Sequence, residues 1–404
     1  MEIKKADKLN NVRYDIRGAA TTLALKMEQE GTKIINLNTG NPAAFRFVPP
    51  DYSDILTNER QLTAAYSASK GLLKAREAIA AYESTKGLPK ISIDNVYTGN
   101  GVSELIVMCM QALVNEGDEV LVPSPDYPLW TAGVRLAGGT AVHYHCDESS
   151  DWYPDMGDVK KKISPRTKAV VIISPNNPTG AVYPKEIVEG FVKLAREHGL
   201  LVFSDEIYDR MLMDDARHTA VASVAGDDVP VITMNGLSKS HKLCGYRAGW
   251  MVITGDLSGA SSYLEGLNVL ASMRLCSNVM AQAVIPAALK DAYFAKDALA
   301  PGGRLYEQRE AAYKGLCEIP GISTVKSRAG LYMFPRLDNE KLGIKDDELF
   351  VLDLLKQKHI LLTHGGSYNW PKPDHFRMVY LPEKEVLLDV IDKLKDFFAN
   401  YSQA

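Results

Sequence analysis

The chain is short of every feature that would tie it to nucleic acid, a membrane or an oxidising compartment. Its 404 residues carry 46 lysines and arginines against 50 aspartates and glutamates, a formal net charge of −4. That balance gives no electrostatic reason to bind nucleic acid or an anionic lipid surface. No apolar run approaches the ~20 residues that cross a bilayer, and Met1-Glu2-Ile3-Lys4-Lys5-Ala6-Asp7 lacks the apolar centre of a signal peptide. The five cysteines (Cys109, Cys146, Cys244, Cys276 and Cys317) are odd in number, scattered, and without a CxxC pair. Neither a disulfide framework nor a zinc site is indicated, so no metal is expected. Free thiols point to a cytoplasmic location. No GxGxxG follows the first strand, which argues against a nicotinamide dehydrogenase. No internal repeat or low-complexity tract is visible. What remains is 46% hydrophobic and 24% charged, an ordinary globular composition long enough for two domains.

From about residue 95 to 255, short β-branched runs alternate with amphipathic stretches. Val96–Gly99, Glu119–Val122, Ala169–Ile173, Leu200–Asp205 and Val231–Met234 read as strands, and the continuous apolar runs are of the kind buried on both faces. Gly101–Val114 reads as a helix, apolar at Leu105, Ile106, Cys109, Met110 and Leu113; Lys185–His198 reads as another, stopped by Gly199. This alternation predicts an α/β fold with a mostly parallel sheet, whose ligands bind beyond the carboxyl ends of the strands. After residue 300 the texture becomes α+β. Helices are expected over Gly303–Leu316, Asp346–Lys358 and Lys384–Tyr401, and strands over Gly321–Val325, Leu331–Phe334 and His375–Leu381. The chain therefore divides into an N-terminal segment, 1–45, that joins the small domain or wraps a partner subunit, a large domain, 46–300, and a small domain, 301–404.

Chemistry-bearing residues fall at the expected strand ends. Lys239 follows Val229–Met234 within Asn235-Gly236-Leu237-Ser238-Lys239, among small polar residues. A lysine so placed suits a Schiff base with a carbonyl cofactor, and Arg247 is near enough to hold a phosphate. In Ser174-Pro175-Asn176-Asn177-Pro178-Thr179-Gly180, the prolines and glycine make a stiff turn that can aim the Asn177 amide. Asp205, in Asp205-Glu206-Ile207-Tyr208, can keep a pyridinium nitrogen protonated, with Tyr208 close enough to bond a ring hydroxyl. Asn100-Gly101-Val102-Ser103 opens a helix whose free N–H groups suit an anion. Tyr127, in a Pro-bounded loop, can stack on a flat ring. Gly40 sits in the tight turn Asn38-Thr39-Gly40-Asn41-Pro42, and Arg377 on a C-terminal strand can hold a carboxylate with two prongs. Alone, each has an ordinary explanation: a solvated lysine, a helix-capping aspartate, a core tyrosine, a surface arginine. Their order along one chain is what carries weight.

Taken together these segments resemble the fold-type I pyridoxal phosphate enzymes, specifically the class I/II aminotransferases, across nearly the whole chain. Within them the likeness is closest to the bacterial alanine (glutamate–pyruvate) type. It is carried by Tyr14-Asp15-Ile16-Arg17-Gly18, Gly40-Asn41-Pro42, Gly99–Ile106, Asp126–Trp130, Asn235–Lys239, Met273–Asn278 and Pro301–Arg309. The resemblance implies a large domain with a mostly parallel seven-stranded sheet and a smaller α+β domain. It implies pyridoxal 5'-phosphate as cofactor and ping-pong transfer of an amino group from L-alanine, or a similar amino acid, to 2-oxoglutarate. Lys239 then carries the cofactor as a Schiff base and shuttles the proton at Cα, for which its amine is expected below its ordinary pKa, lowered by nearby cations and partial burial. Asp205 pairs with the ring nitrogen, Tyr208 and Asn177 with the ring hydroxyl, and Tyr127 stacks on the ring. Gly101, Val102, Ser103, Ser238 and Arg247 gather the phosphate, and Tyr66 reaches that of the neighbouring subunit in a homodimer. Gly40, Asn177 and Arg377 take the α-carboxylate. For the distal carboxylate of glutamate there are two candidates, Arg17 with Tyr14, and Arg274, whose spacing to Ser277-Asn278 is one residue shorter than the aspartate-type pattern.

Beside an aminotransferase of broader, aromatic or branched-chain specificity, two rival classes stand. A β-lyase or cyclopropane-forming synthase would use nearly the same site, since fold alone does not fix chemistry. A ligand-sensing transcription factor can borrow this fold, but the recognisable pattern begins by residue 14, and the surface is not basic.

Overall fold

The computed structural model describes residues 3–290 and 296–403. Its centre is an eight-stranded sheet. The strands are β1 (Val96–Asn100), β2 (Glu119–Ser124), β3 (Thr140–Asp147), β4 (Tyr153–Pro154), β5 (Thr167–Ile173), β6 (Leu201–Asp205), β7 (Val231–Gly236) and β8 (Ala248–Thr254). Their spatial order is β1-β8-β7-β6-β5-β2-β3-β4. The run β7-β6-β5-β2-β3 is parallel. β8 is inserted antiparallel between β1 and β7, so β1 still points the same way as the parallel strands. The eighth strand, β4, is a two-residue antiparallel extension at the far edge, which leaves seven main strands.

The buried strands lack alternation because both faces are covered. In β5, Ala169, Val171 and Ile173 face one apolar cluster, together with Leu105, Ile106 and Cys109 of helix α1 (Val102–Leu113). Val170 and Ile172 face the other, packed with Val188, Phe191 and Val192 of the helix Lys185–His198. That period of two, apolar on both sides, is the signature of a covered parallel sheet. Gly199 ends the helix at φ +64°, a left-handed turn that glycine adopts without a Cβ penalty.

Among the elements absent from the sequence reading are β3, β8 and helix α2 (Leu129–Leu136). β3 carries His143 and His145 at less buried positions between buried Tyr144 and Cys146, which masks its apolar pattern. β8 opens Ala248-Gly249, which reads as loop. A Cβ on Gly249 would lie 2.5 Å from the backbone of Gly101 and Val102, so only glycine lets β8 lie that close to the start of α1.

The C-terminal part builds its own core. Tyr332–Met333, Phe376–Val379 and Thr363–His364 form a small antiparallel sheet, shorter than the strands expected there. Strand Ile35–Asn36 pairs in parallel with Ile360–Leu361, and Leu37 packs into the same apolar cluster as Leu354, Phe376 and Leu394. The N-terminal segment thus crosses the molecule and brings Tyr14, Arg17 and Gly40 over the sheet edge. Among the described residues, no helix is long and apolar enough to cross a membrane.

Candidate active site

The carboxyl ends of β1, β2, β5, β6 and β7 open on a cavity of about 720 Å³. It is lined by Tyr14, Arg17, Gly40, Val102, Ser103, Tyr127, Asn177, Asp205, Tyr208, Ser238, Lys239, Arg247 and Arg377. Residues that lie up to 363 positions apart in the chain therefore share one wall. The site lies at the sheet's switch in strand order, where β2 and β5 lead in opposite directions. Two expected residues lie elsewhere. Gly101 sits behind the lining, under Arg247, and Tyr66 is 80% exposed on the outer surface.

The half-buried Lys239 projects from the turn after β7, and its Nζ donates to the Gly40 carbonyl at 2.7 Å. Its environment differs from expectation. Burial, Arg377 and Arg247 pull its pKa down, but the Tyr332 hydroxyl and the Cys244 thiol outweigh them and hold the amine above its ordinary value. Cys244 Sγ lies 4.0 Å from Nζ and itself donates to the Ser238 carbonyl at 2.8 Å.

Asp205 is buried at the end of β6. Trp130 Nε1 donates to one carboxylate oxygen at 3.1 Å, and the Ile207 N–H donates to the other at 3.3 Å. Burial pushes its pKa up to about 6, against the pull of those hydrogen bonds and of Lys239. A buried carboxylate in this state is short of a positive partner.

The start of α1 is an uncapped helix N-terminus: among the described residues, no side chain caps its first N–H groups. Gly101, at φ +75°, leaves room for the Arg247 guanidinium, which a Cβ would meet at 2.1 Å. Arg247 is fixed by donating from Nη1 to the Cys244 carbonyl at 2.9 Å and from Nη2 to the Asn100 carbonyl at 3.3 Å. Helix N–H groups, Ser103, Ser238 and a guanidinium converge on one corner, a cradle for a dianion.

Across the cavity Arg377, 2% exposed, lies between two rings, 4.2 Å from the Tyr332 centroid and 4.7 Å from that of Tyr368. Its Nη1 donates to Asn177 Oδ1 at 2.9 Å and its Nη2 to the Asn38 carbonyl. Its buried Nε has no partner among the described residues. Tyr208 donates to the Tyr332 hydroxyl at 2.8 Å, and Tyr332 would collide with any Cβ on Gly40. Tyr14 and Tyr127 share a hydrogen bond of 2.9 Å. Sequence reasoning missed Trp130, Tyr332 and Tyr368, and favoured a packing role for Cys244 near the Lys239 motif. Of the three missed, only Trp130, inside the Tyr127 segment, carried any signal.

Of the two arginines considered for a distal carboxylate, Arg17 lines the cavity. Arg274 instead pairs with Glu104 and donates to the Thr98 carbonyl at 2.7 Å and the Ser69 carbonyl at 3.3 Å, so both of its terminal nitrogens are engaged within its own chain.

A family model described as aminotransferase class I and II matches residues 32–394. The chain belongs to the class I and II aminotransferases. It is 51% identical over 404 residues to the glutamate-pyruvate aminotransferase AlaA of Escherichia coli strain K12, covering 99% of both chains. It is 52% identical to an alanine aminotransferase of Mycobacterium bovis, covering 98% of this chain and 92% of the relative. A crystal structure of an aminotransferase from Escherichia coli superposes with a TM-score of 0.98 at 50% identity, covering all of both chains.

The family's cofactor is pyridoxal phosphate, and the aminotransferase has the donor set for it. The uncapped helix start and Arg247 match a phosphate dianion. Asp205, held up by burial, lacks the cation that a protonated ring nitrogen would be. The Lys239 amine lies in the same cavity.

One buried acid beside the site is outside this set. Asp126 precedes Tyr127 and is fully buried; Asn369 Nδ2 donates to it at 2.8 Å and Thr131 Oγ1 at 2.6 Å. Burial, opposed by these bonds, raises its pKa to about 7. A carboxyl whose folded pKa lies above the unfolded ~3.9 costs stability as pH rises, here through the window from about 4 to about 7. Asp126→Asn keeps the bond from Asn369 and has no charge to bury. It should flatten the fall in thermal stability of the cofactor-free protein across that window. An unchanged slope in melts taken every half pH unit would refute this.

Proposed function

We propose that this aminotransferase transfers the amino group between L-alanine, or a similar amino acid, and 2-oxoglutarate, giving pyruvate and L-glutamate in two alternating half-reactions. The observation that carries the reading is the pairing, in one cavity, of the Lys239 amine with Arg377, a buried guanidinium clamped between Tyr332 and Tyr368. The names of its Escherichia coli and Mycobacterium bovis relatives point the same way.

When bound, pyridoxal phosphate supplies an aldehyde for the amine and a ring that withdraws electrons from Cα. The protein does the rest. Arg377 and Asn177 grip the α-carboxylate and fix the amino acid in one orientation, with Gly40 leaving the space beside Tyr332. Lys239 Nζ takes the Cα proton and returns it. Asp205, braced by Trp130, would keep the ring nitrogen protonated. Asn177 and Tyr208 would hold the ring hydroxyl and Tyr127 the ring face, and Val102, Ser103, Ser238 and Arg247, with Gly101 beneath Arg247, would hold the phosphate.

Alternation between a one-carboxylate and a two-carboxylate substrate asks for a second cation that only the longer one reaches. Arg17, with Tyr14 beside it, is that group in this reading. Arg17→Gln should raise KM for glutamate and 2-oxoglutarate about tenfold, the worth of one charge-assisted bond. KM for alanine and pyruvate should stay within about twofold. Arg274→Gln producing the selective change instead would reverse the assignment.

We also assign residues 1–45 to the small domain and subunit contact, 46–300 to a large cofactor-binding domain, and 301–404 to a small domain. The enzyme is proposed to be a cytoplasmic homodimer in which the exposed Tyr66 reaches the partner's phosphate. The deciding experiment is a panel of amino donors against 2-oxoglutarate and pyruvate. Pyruvate and glutamate from alanine plus 2-oxoglutarate support the reading, whereas ammonia with pyruvate from a sulfur amino acid would make the protein a β-lyase.

A further inference from the structure

A second cavity, of about 800 Å³, lies behind the active site and belongs to none of the groups above. Its cations are Lys8 and Arg13 of the N-terminal segment and Arg135 of α2. None of the three forms an ion pair with a carboxylate among the described residues, and Arg135 donates to the Asn11 carbonyl at 3.3 Å. Asp15 and Glu116 also line the cavity, so its ionised groups leave an excess of one positive charge. A separate observation points to a ligand. Ser367, 4% exposed, lines the same cavity, and its buried hydroxyl has no hydrogen-bond partner among the described residues. A buried hydroxyl without a partner is costly unless something else satisfies it.

The walls of this cavity are the reverse sides of catalytic walls. Asp15 is two residues before Arg17, and Pro128 follows Tyr127. Asn369 lines the second cavity and holds the Asp126 carboxylate at 2.8 Å, while its carbonyl accepts from Ser124 Oγ at 2.8 Å. The Asp126 N–H in turn donates to the Tyr368 carbonyl at 2.9 Å, and Tyr368 is one of the two rings that clamp Arg377. A molecule seated on Asn369 and Ser367 therefore presses on the segments that place Tyr127 and Tyr368.

We propose that this cavity binds a small polycarboxylate anion and that its occupancy tunes substrate affinity at the neighbouring active site. The cations come from two segments, Lys8 and Arg13 from one and Arg135 from the other, around a broad space, which suits anionic groups carried at separate points of one molecule over a single tetrahedral ion. Amides of Asn10, Asn11 and Asn369, with the Ser367 hydroxyl, supply neutral donors between them. The coupling, though not the binding, rests on the catalytic cavity being where Tyr127 and Arg377 act.

The test is calorimetric titration of the cofactor-loaded enzyme with citrate and, separately, with inorganic phosphate. Holoenzyme is used so that the phosphate cradle is filled, and Arg377→Lys removes the two-pronged carboxylate grip of the catalytic cavity. The expected result is a citrate site that persists in Arg377→Lys. That site should weaken by about tenfold or more in Arg13→Ala/Arg135→Ala, and measurably in Ser367→Ala. Citrate should also shift KM for alanine in the wild type and not in the double variant, whose turnover without citrate stays that of the wild type. Citrate binding that vanishes with Arg377→Lys and ignores the Arg13 and Arg135 changes would overturn the proposal. Phosphate binding as tightly as citrate would overturn the polycarboxylate class. Because binding is read as heat on the folded holoenzyme, a failed donor panel and a failed anion site give separate results.

Discussion

Lys239→Ala is expected to lower transamination by roughly 10⁴-fold or more, since general-base catalysis alone contributes about 10²–10⁴ and the covalent anchor is lost with it. No neighbour can substitute. Cys244 is the nearest nucleophile, at 4.0 Å from Nζ, and its thiol is committed to the Ser238 carbonyl. Tyr332 and Tyr208 are bonded to each other. Removing Nζ leaves the Gly40 carbonyl without its donor, a modest loss at a half-buried site, so the variant should fold and melt close to the wild type. The check is single-turnover spectroscopy together with borohydride reduction, which should attach pyridoxal phosphate to the wild type at position 239 and to nothing in the variant. Turnover within tenfold of wild type would remove the lysine from the mechanism.

Asp205→Asn is expected to cost roughly 10²–10³-fold in kcat, with a smaller effect on KM. An amide still accepts the Trp130 N–H, so the packing at the end of β6 survives. What disappears is the one buried negative charge aimed at the ring. A buried charge pair is worth about 3–5 kcal/mol when one partner is removed, and each 1.36 kcal/mol is about tenfold in rate. Burial holds the Asp205 pKa up to about 6 in the absence of a cationic partner. The folded, cofactor-free protein therefore loses stability as pH rises from about 4 through about 6, and Asp205→Asn removes that loss. The two readouts separate the roles: a purely structural Asp205 would alter the melt and leave kcat alone, whereas the proposed role moves both.

Much of this site was legible because its residues sit at strand ends marked by turn chemistry. Asn177 and Gly101 each follow an apolar run and precede a proline or a helix start, Lys239 comes just after Gly236 at the end of such a run, and Asp205 ends one outright; those breaks are written locally. The helix Lys185–His198 could be read to the residue for the same reason, an apolar face closed by Gly199. Illegible residues were those whose role depends on who lies opposite. Tyr332 belongs to a two-residue strand, and nothing near it in sequence says that its ring will cover Arg377 or bond Tyr208. Trp130 lies on a helix that the reading passed over as loop. The pKa of Lys239 was expected to fall because of the cations around it, and the hydroxyl and thiol that reverse the direction come from segments 93 and 5 residues away.

By itself the sequence determined the covered parallel sheet and the order of its strand-end residues, among them the amine proposed to carry the chemistry, because apolar periodicity and turn residues act over a few neighbours. What already engages Arg274, and so favours Arg17 in the proposed reading, came from tertiary structure alone. Glu104 and two carbonyls reach Arg274 from elements up to 205 residues away and occupy both of its terminal nitrogens, while the N-terminal segment carries Arg17 across to the sheet edge. A guanidinium is a reagent or a brace according to what already occupies its N–H groups, and that is settled only when the chain has folded.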